Sequence, residues 1–481
     1  MKRIGILLIL AILLASLPLG TAFADDAFKP SYASPSETVL ATVLTIVVSV
    51  IFIIVCVLLN VRSALAEDDA SPWPSFILMA VLAVAVRLIA AAVFEGYSSD
   101  IGCFKGWAIA VYERGPANFY TSDMFADYPP GYIYVLWVLG LVRELFSINA
   151  MGTLFTLIIK LPSIAAEVIT AVLVFKTARK QMGKTFALLC SAFVLFNPAF
   201  FFNSSVWGQV DAFFALFAVL VIYYLRKDNP WLGAAFFALA LLIKPQAVIL
   251  LPVVGLYYVY SLFKPNRLKH GVLGLLGGAA IGAAVFVLGV LPFTGSQPID
   301  WIFHKYAGTV DSYQFATINA YNLFALTGGN WKPFNAPLWF FTYQTWGIIF
   351  IVIICVLVVF LQWRSREQGR LFDIAGFLIV SVFMLAHAMH DRYIMLACLL
   401  LLLAYVYSRD SATLFFAAAF TMTALLNQMV VLYADSVMTP ELPTLLISGA
   451  NVLLYIIYMM MTIKKLASSG VLIKSPAQRI R

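Results

Sequence analysis

Long apolar runs and short polar interruptions alternate along almost the whole chain. Many of the runs are about 18 to 23 residues long, the length an α-helix needs to cross a bilayer. They fall near residues 38–60, 74–94, 153–176, 184–202, 211–226, 231–243, 246–263 and 271–292. After a long loop, further runs fall near 346–363, 371–387, 393–408, 411–433 and 443–463. Lipid satisfies no backbone polar group, so only helices or a closed barrel can span it, and these runs are too long and continuous for barrel strands. The pattern predicts an all-α polytopic membrane protein with about 13 transmembrane helices.

The start of the chain has two readings. Met1-Lys2-Arg3, the apolar run Ile4–Leu19 and the small-residue stretch Thr21-Ala22-Phe23-Ala24 form a signal-like segment over 1–24. The same residues also suit an uncleaved first helix. Either choice leaves Asp25–Glu37 outside. The remainder divides into an outer segment, helix and inner loop (25–73), a core of helices (74–292) carrying an outer loop at 95–152, a second outer loop (293–345), C-terminal helices (346–463) and a cytoplasmic tail (464–481).

Polar residues fall in a few places: Ser98–Asp100, Asp127–Pro130, Asn203–Asp211, Lys244–Gln246 and His387–Tyr393. With 63% hydrophobic and only 11% charged residues, the chain has few such groups to place. Ionisable groups close to lipid are costly and tend to face a cavity, a partner or a reaction. The net charge of +8 resides in short connectors, so it reports topology and not nucleic-acid binding. Alternation along the thirteen spans puts Lys176–Lys184, Arg226–Lys227, Lys264–Lys269, Arg364–Arg370, Arg409 and Lys464–Lys465 on one side, the cytoplasmic one. The five polar clusters then share the outer face. That bookkeeping requires Gly131–Phe146, apolar but short, to lie along or dip into the outer interface, where Tyr132, Tyr134 and Trp137 are at home. The five cysteines show no paired spacing and imply no disulfide or zinc framework.

The chemistry of each cluster is open at this level. Asp100 can act as a general base on an acceptor hydroxyl, or cap a helix over Ile101–Tyr112. Lys244, His390 and Arg392 can hold a phosphate, or serve as snorkelling anchors. Lys244 favours the first, because it sits in a tight turn before Pro245. His387 and His390 have metal-pair spacing, but no second ligand cluster accompanies them. Trp207 with Gln209 and Asp211 suits a sugar face and its hydroxyls, or an interfacial Trp beside a polar helix cap. Arg87 and Glu167, inside spans, are expected to be architectural.

The ordered series Asp100, Asp127-Tyr128-Pro129-Pro130-Gly131-Tyr132, Lys160-Leu161-Pro162, Asn197-Pro198, Trp207-Gly208-Gln209-Val210-Asp211, Lys244-Pro245-Gln246, Asp311–Gly328 and Met389-His390-Asp391-Arg392-Tyr393 resembles bacterial glycosyltransferases of the GT-C fold. It is similar in particular to membrane mannosyltransferases related to the enzyme that adds the second mannose of GPI anchors. The likeness runs from about residue 75 to about 410. It implies a polyprenyl-phosphate-linked sugar donor, an outward-facing site in a bacterial cell membrane and an inverting transfer. Asp100 takes the position of the catalytic acid residue, and Lys244, His390 and Arg392 hold the donor phosphate. Asp127, Tyr128, Trp207, Gln209, Asp211, Gln246 and His387 are the candidate sugar or substrate ligands. No cofactor is expected. The Asp-x-Asp pair of some relatives is missing, since Ser98 and Gly102 flank Asp100, and this leaves divalent-metal dependence open. The acceptor, whether glycan, lipid or protein, is not specified. A transporter or flippase for a polyprenyl-phosphate-linked glycan is the competing expectation, although such proteins place polar groups near the midplane of repeated halves.

Overall fold

A computed structural model describes residues 35–61, 71–121, 125–263, 268–298, 300–365, 370–434 and 441–469. The two readings of residues 1–24, and most of the expected tail, lie outside these residues. Every one of the thirteen expected spans is helical, and the chain is an all-α polytopic membrane protein. In chain order the helices are α1 (Pro35–Asn60), α2 (Trp73–Val93), α3 (Ser98–Arg114), α4 (Pro130–Leu145), α5 (Thr153–Met182), α6 (Lys184–Leu195), α7 (Asp211–Arg226) and α8 (Pro230–Ile243). They continue as α9 (Leu251–Leu262), α10 (Leu268–Val290), α11 (Trp301–Asp311), α12 (Tyr343–Ser365), α13 (Leu371–Leu385), α14 (Met395–Ser408), α15 (Ser411–Tyr433) and α16 (Glu441–Ser469).

Nine helical segments among the described residues are long and apolar enough to cross a membrane. The four other expected spans are shorter: α7 has 16 residues, α8 has 14, α13 has 15 and α14 has 14. Each stops at a polar residue singled out by the sequence. Helix α7 begins at Asp211, and α8 gives way to Lys244, whose extended backbone precedes Pro245. A residue before proline is pushed out of the helical region, so that turn is written into the chain. Helix α13 ends just before His387, and α14 begins just after Arg392.

The opposite ends of the same helices carry the basic connectors. Lys465 of α16 binds Asp373 of α13 at 2.6 Å and Asp410, the cap of α15, at 3.2 Å. Arg409 donates to the Gln181 carbonyl at the end of α5, and the Arg226 guanidinium lies 3.2 Å from the Tyr407 ring centroid. The polar clusters and the basic connectors therefore occupy opposite ends of one bundle. Between them, Arg87 of α2 and Glu167 of α5 pair in the interior, with Nε to Oε2 at 2.8 Å, which satisfies two charges that neither helix could bury alone.

Helix α4 begins against α8. A Cβ on Gly131 would come within 2.6 Å of the Leu242 carbonyl, so only glycine permits the approach. Tyr132 meets Phe104, and Gly140 sits against Ala108, so α4 runs in the same sense as α3. Its other side exposes Trp137, Val138, Leu141 and Leu145. The loop 293–345 is built rather than shapeless. It contains α11, a strand β1 (Thr317–Ile318), and a hairpin of β2 (Pro337–Leu338) and β3 (Phe341–Thr342). Strand β1 pairs in parallel with β4 (Met389–His390), Thr317 opposite Met389 and Ile318 opposite His390, and so straps this loop onto the α13–α14 turn.

Candidate active site

Gly96 starts the site. Its φ of +100° and the 2.2 Å that would separate its Cβ from the Trp207 carbonyl both require glycine. The approach lets Tyr97 N–H donate to the Trp207 carbonyl at 2.9 Å. Helix α3 begins at Ser98, with Tyr97 at the cap position, so Asp100 lies in the first turn and is not the cap. Its carboxylate instead accepts from Trp207 Nε1 at 2.7 Å and Gln209 Nε2 at 2.6 Å. Both bonds fall on Oδ2.

Trp207 closes a wide turn, Phe202–Trp207, and Gly208 follows in the left-handed region with φ +89°. Only 1% of the Trp207 surface is exposed, so it offers no ring face to a sugar, and it is not an interfacial anchor either. It supports Asp100 with its N–H and the Arg392 guanidinium with its ring, at 5.4 Å to the centroid. Gln209 is oriented by its other end: Oε1 accepts from Val210 N–H at 3.1 Å and from the Tyr128 hydroxyl at 3.3 Å.

Asp211, expected as a sugar ligand, is buried between two cations. Lys244 Nζ donates to Oδ1 at 2.6 Å, and Arg392 Nε lies 3.2 Å from Oδ2, which also accepts from Asn203 Nδ2 at 3.2 Å. Lys244 is 3% exposed, so its charge is spent inside the protein. Arg392 keeps an edge open, with 14% of its side chain exposed. It also pairs with Asp391 Oδ1 at 3.0 Å. Asp391 Oδ2 is buried without a hydrogen-bond partner. Burial, helped by Asp211 and Asp100, pushes the Asp391 carboxyl up to about 6 against the opposing pull of Arg392. His390 is expected as a third cation. Burial, with Arg392 and Lys244 nearby, instead pushes it well below the ordinary imidazole range, so it stands as a neutral ring packed on Tyr313 and Tyr393.

The other expected ligands divide. Asp127 accepts from the Tyr313 hydroxyl at 2.8 Å, which ties the loop after α3 to the strap 309–318. Gln246 lines a small pocket with Asp211, Arg392 and Tyr393, walled by Phe214, Ile249, Ile379, Met395 and Leu396. His387 faces elsewhere, against Gly347 of α12 and 6.0 Å from the Phe334 ring. Among the described residues no group of three or more His, Cys, Asp or Glu side chains could hold a metal ion.

Several partners carry no sequence signal of the role they play. Lys160 is buried and donates to the carbonyls of Phe94 and Ser205 at 2.6 and 2.9 Å, pinning the two segments that meet at Gly96. Asn203 bridges Asp211 to Gln428 of α15, and Asn427 donates to the Asn319 carbonyl at 2.7 Å. The last helices, which match no motif, thus hold the site from behind. Asp391 sits inside a quoted motif, yet nothing in its sequence setting distinguishes it from a surface partner of Arg392.

Residues 125–388 match the model of a known family, glycosyltransferase family 87. No curated protein matches the chain.

Proposed function

Because the chain belongs to glycosyltransferase family 87, and is a membrane-embedded glycosyltransferase, we propose that it moves a hexose from a polyprenyl-phosphate-linked donor to an acceptor hydroxyl at the outer membrane face, with inversion. The observation that supports this most directly is Asp100, with Oδ2 fixed by Trp207 and Gln209 and Oδ1 left over. Direct displacement at an anomeric carbon needs a base for the incoming hydroxyl. Asp100 takes that proton while the acceptor oxygen bonds to the anomeric carbon. The bond to the donor phosphate breaks on the opposite face and the phosphate leaves with the electron pair.

The leaving group, a phosphate monoester, is a weak base and asks for electrostatic holding more than for a proton. Arg392 is the cation with an open edge, and its guanidinium suits two phosphate oxygens. Lys244 acts one step back, by fixing Asp211, which in turn aims Arg392. Beside Arg392, the pocket walled by Phe214, Ile249, Ile379 and Leu396 is apolar enough to receive the first carbons of a lipid tail. Mannose is the sugar suggested by the resemblance. The positive-inside distribution of the connectors supports an outward-facing site, and the resemblance supports a bacterial cell membrane.

The test is direct. Purified protein is offered a panel of polyprenyl-phosphate sugars and free polyprenyl phosphate is measured. Release that depends on one sugar and on Asp100 is expected. Turnover of nucleotide sugars with none of the lipid-linked donors sinks the proposal.

A further inference from the structure

Trp339 and Phe340 form the tip of the β2–β3 hairpin, with Pro337 opposite Thr342 and Leu338 opposite Phe341. They are 77% and 89% exposed, the most naked aromatic pair among the described residues. Trp339 has φ +57°, while Phe340 has no positive φ, so the two-residue loop places a bulky side chain where such turns normally carry glycine. A large residue at positive φ is strained, and strain of this kind persists where the side chain is needed. The tip is also held firmly. Trp346 Nε1 donates to the Leu338 carbonyl at 2.9 Å, and Phe341 packs edge-on to Trp346, whose ring stacks on Phe350. Trp346 and Phe350 belong to the first turns of α12, a membrane-crossing helix. The residues from 333 to 363 contain no charge, so the uncharged stretch begins ten residues before the start of that helix and includes the hairpin.

We propose that this hairpin is an interfacial anchor, with Trp339 and Phe340 buried at the boundary of headgroups and acyl chains beside α12. Aromatic rings settle at that depth, and a rigid tip three residues from a spanning helix is placed to reach it. The anchor has something to hold. Phe334 N–H donates to the Gln314 carbonyl, Ala316 N–H to the Lys332 carbonyl, and Ala388 N–H to the Ala316 carbonyl. This backbone chain runs from the hairpin to the turn that carries Arg392. The inference rests on the membrane fold alone and stands whatever sugar is transferred.

Trp339→Phe keeps an aromatic tip and removes one fluorophore. Full-length protein and variant are compared in phosphatidylcholine–phosphatidylglycerol vesicles whose lipids carry bromine either near the headgroup or near the chain ends. The parent is expected to show a fluorescence component, absent from the variant, quenched by the shallow bromine and little by aqueous iodide. Phe340→Trp should add a second such component. If the Trp339 component is quenched by iodide and not by bromine, the tip faces water and the proposal fails. If neither quenches it, protein covers the tip, a second copy or a partner, and the proposal fails equally.

Discussion

Trp207 donates its indole N–H to Asp100 across 2.7 Å while Arg392 lies over the same ring at 5.4 Å. One side chain therefore sets both the carboxylate assigned to proton removal and the cation assigned to the leaving group. One buried ring thus bridges the two groups and, with Gln209, Asp211 and Asp391, holds their separation before any substrate binds.

Asp100→Asn keeps the shape and both neighbours but cannot accept the proton. Turnover with the lipid-linked donor is expected to fall by about 10²- to 10⁴-fold, the range usual for a lost general base. Thermal unfolding in detergent should stay close to the parent's. Near-normal turnover would remove Asp100 from the mechanism.

Trp207→Phe fills most of the same volume and deletes one donor to Asp100. A hydrogen bond to a charged group is worth about 1.5 to 3 kcal/mol, so kcat should fall by roughly 10- to 100-fold. Donor KM should move less. If Trp207 were a sugar platform, KM would carry the loss.

Asp391 gives the site a pH dependence. With its carboxyl pushed up to about 6, it is neutral below that pH and ionised above it. An ionised Asp391 competes with donor phosphate for Arg392, so donor KM is expected to rise as pH passes upward through about 6, and to stay flat in Asp391→Asn. The same shift acts on stability. A raised carboxyl pKa contributes stability present below the unfolded value, near 3.9, and lost as pH rises through about 6. Melting temperatures of parent and variant between pH 4 and 7, the window about these two values, test the sign. A parent that gains stability over the variant with rising pH contradicts it.

Lys244→Met strands Asp211 in a buried position with Arg392 as its only remaining cation. Breaking such a pair costs about 3 to 5 kcal/mol, read as lost thermal stability. Lys244→Met combined with Asp211→Asn should recover part of it, because no unpaired charge is then buried. If the single variant is stable and merely binds donor poorly, Lys244 touches phosphate directly.

Orientation is tested at the end of α4. Asn149 is exposed just beyond that helix. Asn149→Cys is expected to react, above the parent's background, with an impermeant thiol reagent added to intact cells. Reaction only after permeabilisation places this face inside.

Helix positions were legible because lipid enforces long apolar runs, and the meeting of the five clusters was legible because lone charges in such a chain are costly. Individual roles were less so. Asp100 reads equally as a base or a cap until the helix is seen to begin at Ser98, and Trp207 reads as a sugar platform or an interfacial ring until the wide turn 202–207 faces it inward. Both outcomes depend on Gly96 and Gly208 letting two distant segments touch, a contact that local pattern does not encode. Lys244 and Asp211 looked like two ligands because sequence cannot show that they bind each other. Asn427 and Gln428 lie in an apolar helix that matches no motif, and only their tertiary partners give them meaning.

Helices α7, α8, α13 and α14, at 14 to 16 residues, reach about 21 to 24 Å, against about 30 Å of hydrocarbon. With their basic ends at one interface, their polar ends stop about 6 to 9 Å short of the other. The candidate site then lies below the level of that interface, sunk into the bilayer. Under the proposed function, a lipid-borne donor would reach that depth sideways, without lifting its headgroup clear of the membrane, whereas an acceptor from outside would have to descend to it. Bulk water meets the same descent, and that favours transfer of the sugar over its hydrolysis.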